Sequence, residues 1–300
     1  MKLFPLAILI GGPTASGKSA LAFNIQKKIP SYVVNSDSMQ VYDKLKKLTN
    51  SPSKEEVSNF NCKLYNFIKY PIYCDLGFWL KKVRFVVKKN PNKIPIFVGG
   101  TGLYLDGLNG QVSPIPDIPK KIIESVEQIK KKKGNSYLYN KLIELDHDYA
   151  LKISANDSQR IIRSMSVILF TGKKITYWHS IKTTKIFEKI IYIVVNRQRE
   201  ELYERINKRC SKIFNSECID EVSSFIKNDM IEHHPLNKAI GFKIIKSKIE
   251  GDIDDNIALE KFKIETRNYA KRQLTWFRNK STEANFLPYD KVEDFILKKF

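Results

Sequence analysis

Gly12-Pro13-Thr14-Ala15-Ser16-Gly17-Lys18-Ser19 is the stretch on which the fold class turns. It fills every fixed position of G-x-x-x-x-G-K-[ST], and it lies between a strand-like and a helix-like segment. Glycines let the backbone curl so that its N–H groups point at phosphate oxygens. Lys18 adds a positive charge, and the Ser19 hydroxyl is placed to meet Mg²⁺. Gly12 to Ser19 are therefore the expected phosphate-binding residues, with Ser19 the expected metal ligand. The motif specifies a phosphate and leaves open the molecule that carries it.

Outward from this loop, Leu6 to Ile10 is a continuous apolar run, as expected of a strand covered on both faces. Leu3 to Ile10 has the look of a secretory h-region, but it runs straight into the phosphate loop and reads better as a buried first strand. A helix is predicted from Gly17 to about Ile29, closed by Pro30. Tyr32–Val34, Ile94–Val98 and Ile190–Val195 read as three further strands. The expected fold is α/β: a P-loop NTPase-like parallel sheet wrapped by helices. Between the third and fourth strands lie about 90 residues, too many for a loop in a compact domain. After the proline-rich stretch Pro114–Pro119, helices are predicted near 120–133, 136–145 and 155–171. The expected organisation is a core over 1–111, an all-helical insertion over 112–185, and a core return with a basic helical tail over 186–300.

The 300 residues carry 52 Lys+Arg against 32 Asp+Glu, a formal charge of +20. Such a charge fits an extended polyanion, nucleic acid or an anionic membrane surface; a coding bias toward Lys, Asn and Ile would give the same excess with no ligand. No apolar run approaches the roughly 18 residues needed to span a bilayer. Cys62, Cys74, Cys210 and Cys218 form no C-x-x-C, and His233-His234 lacks zinc spacing. A disulfide scaffold is not expected on this pattern, and a reducing, cytoplasmic setting is.

Two more segments carry chemistry. Asn35-Ser36-Asp37-Ser38-Met39-Gln40-Val41-Tyr42 follows the second strand, and ligands of open α/β sheets sit outside the carboxyl ends of strands. Asp37 is a candidate proton acceptor or metal ligand; equally, it is a candidate for an Asx turn or N-cap. Gly99-Gly100-Thr101-Gly102-Leu103-Tyr104 ends the third strand, giving close backbone approach and a Thr101 hydroxyl, or merely a turn that needs glycine. No acidic residue ends that strand, as a nucleotide hydrolase would require.

Together GPTASGKS (12–19), DSMQVY (37–42) and GGTGLYLDGL (99–108) resemble the tRNA dimethylallyltransferases, or isopentenyltransferases. NDSQRIIRSMSVILFTGK (156–173), REELYERINKR (199–209), KAIGFK (238–243) and RNYAKRQLTWFRN (267–279) follow in the family's order, so the resemblance spans nearly the whole chain. It implies transfer of a dimethylallyl group from its diphosphate to N6 of adenosine 37 in tRNA anticodon stem-loops, with Mg²⁺, by a cytoplasmic monomer that needs no membrane. It implies Asp37 as base, with Arg205 in the leaving-group region and Thr101 in the glycine turn as further catalytic residues. Within 37–40, Asp37, Ser38, Met39 and Gln40 would face the tRNA with Thr101, and an amide such as Gln40 suits an adenine edge. Gln159, Arg160, Ile161, Ile162 and Arg163 in the insertion, with Lys121, would meet the stem-loop, the isoleucines anchoring their helix. Residues 261–280 hold seven Lys/Arg and one Glu, and Lys271, Arg272 and Arg278 are expected at RNA; Trp276 and Phe277 read better as core.

The chain departs from the family at Leu48-Thr49-Asn50-Ser51-Pro52, which lacks the usual Gly and Lys, at Tyr70-Pro71-Ile72-Tyr73, which lacks a His, and at Arg163-Ser164-Met165-Ser166, which lacks an acid. The zinc finger of eukaryotic relatives has no counterpart in these residues, as in the short bacterial or organellar form. Two rivals stand beside this reading. A small-molecule kinase or a transferase acting on free AMP would not need the basic insertion and tail. A non-catalytic RNA-binding module would not need Lys18, Ser19 and Asp37 intact.

Overall fold

The computed structural model describes residues 3–181 and 185–300. Five strands, β1 (Phe4–Gly11), β2 (Ser31–Asn35), β3 (Ile94–Val98), β4 (Phe187–Asn196) and β5 (Asn285–Pro288), form one sheet in the order β2-β3-β1-β4-β5. Every pairing is parallel, with Ile8 flanked by Ile96 and Ile191. The helices of this unit are α1 (Lys18–Gln26), α2 (Lys54–Asn59), α3 (Leu76–Lys89) and α4 (Gly102–Leu108) before the insertion. Those after it are named here α10 (Arg199–Ile213), α11 (Ser216–Asn228), α12 (Phe242–Ile249), α13 (Asp255–Lys280) and α14 (Tyr289–Leu297). The insertion supplies α5 (Lys120–Lys133), α6 (Asn135–Leu145), α7 (His147–Ala150), α8 (Ser158–Thr171) and α9 (Ile175–Ser180).

The apolar runs are continuous because both faces of the sheet are covered. Side chains alternate along a strand. Ala7, Leu9, Val34, Phe97, Tyr192 and Val194 enter one core with residues of α3, α4 and α10 to α13. Ile8, Ile10, Val33, Ile96, Ile193 and Val195 enter the other with α1 and α14. The parallel α/β sheet expected from the sequence is the one observed. The tail is not wholly helical, however: β5 extends the sheet beyond β4 through Ile193–Asn285 to Asn196–Pro288 pairing. The first helix is also shorter than its pattern, ending at Gln26, three residues before Ile29.

The chain divides into two compact units, residues 1–109 with 186–300, and residues 110–185. The second has its own small core of Val126, Leu138, Leu142, Ala150, Ile153 and Ile161. Asp146 secures it by accepting from the Thr176 N–H at 3.0 Å and the Thr176 hydroxyl at 2.9 Å. In the first unit the chain leaves and re-enters at one place, where the Ile186 N–H donates to the Leu108 carbonyl at 3.1 Å.

Candidate active site

The phosphate loop runs from the carboxyl end of β1 to the first turn of α1. Its backbone is bent by positive φ at Gly12 (140°), Ala15 (63°) and Gly17 (95°). The Leu21 N–H bonds the Gly17 carbonyl, so the N–H groups of Lys18, Ser19 and Ala20 precede the first helical hydrogen bond and remain as donors for an anion. Gly17 is sterically required as well: a Cβ there would come within 2.6 Å of the Tyr289 ring. Two arginines hold the loop's outward carbonyls. Arg197 Nε donates to the Ser16 carbonyl at 2.8 Å, its guanidinium 4.0 Å above Tyr289 and paired with Glu201. Arg205 Nε donates to the Ala15 carbonyl at 2.8 Å, and Arg205 lines a cleft with Gly17, Lys18, Ser19 and Lys208.

Lys18 is only 8% exposed and donates from Nζ to the Pro13 carbonyl at 2.6 Å. Burial, and then the neighbouring Arg209 charge, pull its pKa down to about 7, with Asp37 opposing. An anion placed against Nζ would favour the charged form and raise that pKa. Inorganic diphosphate binding near pH 8 should therefore draw a proton onto Lys18. Calorimetry in two buffers of different ionisation heat should show proton uptake that disappears in Lys18→Ala. Equal uptake by both chains would rule out Lys18 as the titrating group.

Asp37 shares a cavity with Thr14, Lys18, Ser19, Met39 and Gln40 and with Arg209, Phe262, Tyr269 and Gln273. Both readings of Asp37 coexist. Its Oδ1 accepts from the Met39 N–H at 2.9 Å, an Asx turn, while its own N–H donates to Asn35 Oδ1 at 2.8 Å. That leaves the carboxylate presented to the cavity. Thr101 buttresses this segment: its Oγ1 accepts from the Ser38 N–H at 3.0 Å and lies 3.3 Å from the Ser38 hydroxyl. The Gln40 amide is turned elsewhere. Its Nε2 donates to the Thr49 and Asn50 carbonyls at 2.9 and 3.0 Å, so both amide hydrogens serve the 49–50 loop and only Oε1 is left for a base. The adenine-edge contact expected of Gln40 is thus offered by Oε1 alone, without the paired N–H that would make it bidentate.

The other expected contacts fall into two groups. Lys271, Arg272 and Arg278 are exposed on α13, Arg272 lying 5.6 Å from the Tyr269 ring centre. On α8, Gln159, Arg160 and Arg163 are exposed, Ile161 is buried and Ile162 partly so; Lys121 is exposed on α5. Trp276 and Phe277 pack inward. Phe277 is fully buried, and Trp276 Nε1 donates to Asp106 Oδ2 at 2.8 Å. Asp106 is itself buried, its other oxygen accepting from the Tyr192 and Ser281 hydroxyls at 3.1 and 2.7 Å.

Among the cavity residues that the sequence did not single out are Arg209 and Gln273. Arg209 follows Arg205 by four positions, hence on the same helix face, and that spacing could have flagged it. Burial lowers its pKa, against a raising influence from Asp37. Gln273 had no local signal. It is 5% exposed; its Oε1 accepts from the Thr14 N–H at 2.8 Å and its Nε2 donates to the Gly100 carbonyl at 3.0 Å.

A sequence model of the IPP transferase family matches residues 40–280. The chain is 39% identical over 297 residues to a tRNA dimethylallyltransferase of Pelagibacter ubique, covering 97% of this chain and 94% of that one. It is 39% identical over 280 residues to a tRNA dimethylallyltransferase of Bartonella henselae, covering 92% and 96%. Among solved structures it is similar to a full-length tRNA isopentenylpyrophosphate transferase of Bacillus halodurans, with TM-score 0.69, 27% identity, and 98% and 96% of the two chains covered. It shares the fold of a eukaryotic dimethylallyltransferase acting on tRNA, with TM-score 0.80, 24% identity, and 98% and 77% covered.

Proposed function

The chain belongs to the IPP transferase family and is a tRNA prenyltransferase, and we propose that it moves the dimethylallyl group of dimethylallyl diphosphate to N6 of adenosine 37 in the anticodon loop, releasing diphosphate. The observation that carries this reading is that one cavity holds an anion cradle, Lys18 with the α1 N-terminus, and a carboxylate, Asp37. The two ends match the two charges that the reaction develops.

The phosphate loop would hold the diphosphate. As the allylic C–O bond breaks, its electron pair leaves with the diphosphate, and fixed N–H dipoles and Lys18 stabilise the growing negative charge. Arg205 supports this from the Ala15 carbonyl. The N6 lone pair of adenine forms the new N–C bond, and the N6 proton passes to the Asp37 carboxylate. Thr101 acts in this reading by holding the Ser38 backbone beside Asp37. Apolar walls from Ile213, Ile240 and Phe262 suit a dimethylallyl tail and exclude water.

The donor chemistry fits Mg²⁺. Ser19 and Asp37 offer hard oxygen ligands to the same cavity, and no group of three or more His, Cys, Asp or Glu among the described residues forms a cage. That suits an ion that keeps several waters and takes its remaining ligands from a substrate's phosphates. Ser19 would hold it, and its charge would make the diphosphate a better leaving group.

We propose that RNA is held by Gln159, Arg160 and Arg163 of the insertion, with Ile161 and Ile162 fixing their helix, and by Lys121, Lys271, Arg272 and Arg278, while Ser38, Met39 and the Gln40 oxygen face the target base. Incubation with labelled dimethylallyl diphosphate and either tRNA or AMP tests the function. Label in tRNA alone supports it; label in AMP alone, or in neither, rejects it. Binding should also release counterions. With six to ten phosphate contacts, tRNA affinity should fall by about 10³ to 10⁵ between roughly 50 and 200 mM salt. Replacing Arg272 and Arg278 together should flatten the log–log slope by about two units. An unchanged slope in that double variant would place the RNA away from the α13 face.

A further inference from the structure

Gln273 joins two loops of the site that are far apart in sequence. On one side its Oε1 takes the N–H of Thr14, in the phosphate loop. On the other its Nε2 gives a hydrogen to the carbonyl of Gly100. Gly100 is the residue before Thr101, whose N–H donates to the Ser36 carbonyl at 3.3 Å and whose Oγ1 takes the Ser38 N–H. Asp37 lies between those two residues. Hydrogen bonds, joined by the Gly100–Thr101 peptide link, thus lead from the phosphate loop, through one side chain, to the backbone on either side of the carboxylate.

The contact is built closely. A Cβ on Gly100 would lie 2.0 Å from Gln273 Nε2, so only glycine lets the amide approach. Gln273 is buried. The two backbone groups it meets are of opposite kind, one donor and one acceptor. A neutral amide answers both, a carboxylate answers only the donor, and a hydrocarbon answers neither. Leaving the buried Gly100 carbonyl unpaired costs more than the bond itself is worth.

We propose that Gln273 is a positioning residue for the transfer reaction, setting the phosphate loop against the Gly99–Thr101 turn so that the leaving-group cradle and the Asp37 carboxylate hold one separation. The proposal rests on the reading of this cavity as the transfer site. Such a residue acts on the rate of the step that needs both ends at once. It leaves tRNA affinity, which resides on exposed basic side chains, largely alone.

Two variants test it. Gln273→Met keeps the length of the side chain and loses both hydrogen bonds. With saturating substrates its kcat should fall about 10²-fold, the size of effect produced by a misplacement of around 1 Å. Its tRNA affinity in the absence of the prenyl donor should be held. Gln273→Glu carries the sharper test. When protonated, its carboxyl again presents one donor and one acceptor; when ionised, it sets a negative charge against the Gly100 carbonyl. The ratio of variant to wild-type kcat should therefore climb as pH falls from about 8 to about 6, since burial favours the neutral acid. Lys18, Asp37, Tyr65, Arg209, Cys210, Lys238 and Tyr269 line the same cavity in both chains, so the ratio reads the substituted side chain against a common background.

A residue that merely filled space would give a ratio independent of pH, and that result would overturn the proposal. So would a Gln273→Met chain with wild-type kcat. The Glu ratio is read in the folded protein below its melting point, so it stands even if the Met chain does not fold. Failure of the underlying site reading looks different: Lys18→Ala would then be active. Loss of activity in Lys18→Ala beside unaltered Gln273 variants would reject the positioning role alone.

Discussion

Lys18→Ala should lose dimethylallyl transfer by about 10²- to 10³-fold, the size of effect seen when one preorganised charge-stabilising donor is removed from a developing anion. It should do so without loss of stability. In the unfolded chain Lys18 has its ordinary pKa of 10.5, whereas in the fold it titrates at about 7. The native state therefore resists protonation that the unfolded state accepts freely. This penalty is at its greatest below about pH 7 and fades as pH rises toward 10.5. A shift of that size corresponds to a few kcal/mol against folding at neutral pH. Alanine removes the penalty together with the bond to the Pro13 carbonyl. Thermal melting near neutral pH should show the variant at or above the wild-type midpoint, while labelled-donor assays show transfer nearly gone and filter binding shows tRNA still held. An active variant would mean that the loop does not serve the leaving group. An inactive variant that melts well below wild type would instead mark Lys18 as structural.

Asp37→Asn has the next largest expected effect. The substitution keeps Oδ1, so the Asx turn to the Met39 N–H survives, and Thr101 still holds Ser38. What disappears is the capacity to take a proton from N6. A positioned general base contributes about 10² to 10⁴ in rate. We expect kcat to fall by at least about 10²-fold with little change in tRNA affinity or melting temperature. Single-turnover assays with tRNA and donor pre-bound isolate this step. Were the loss confined to tRNA binding, Asp37 would be a recognition residue and the proton would go elsewhere.

The parallel sheet was legible because its strands are covered twice. Ile94–Val98 has no polar alternation to confuse it with an edge, and the burial explains why. β5 escaped for the opposite reason. Asn285–Pro288 lies at the sheet margin, is largely exposed and offers only Phe286-Leu287 before a proline; it is a strand because β4 offers it a ladder. The phosphate loop was legible because its chemistry is local, with all its backbone donors within a few residues. The cavity's far wall was not. Gln273 meets Thr14 across 259 positions of sequence, and nothing near residue 273 announces a partner at residue 14. Gln40 shows a related limit. Its amide suits adenine by chemistry, yet the neighbouring 49–50 carbonyls claim its hydrogens, a competition visible only once that loop is in place. Lys18 was read as a charge, and its burial turns it into a group that titrates near neutrality.

The hydrogen bond between Leu108 and Ile186 bears on how this chain finds its fold. β4 pairs with β1 along Phe4–Phe187 to Gly11–Val194, a contact between segments some 180 residues apart that must form across everything between them. Closing a loop costs entropy that grows with the logarithm of its length, by roughly 0.6 kcal/mol for each doubling. Residues 110–185 have a core of their own, built from contacts within that stretch. Once they have collapsed, their many backbone rotations no longer belong to the loop, and the search that joins β4 to β1 runs over a shorter effective tether. A compact 110–185 stretch thus lowers the entropy cost of the pairing that completes the sheet.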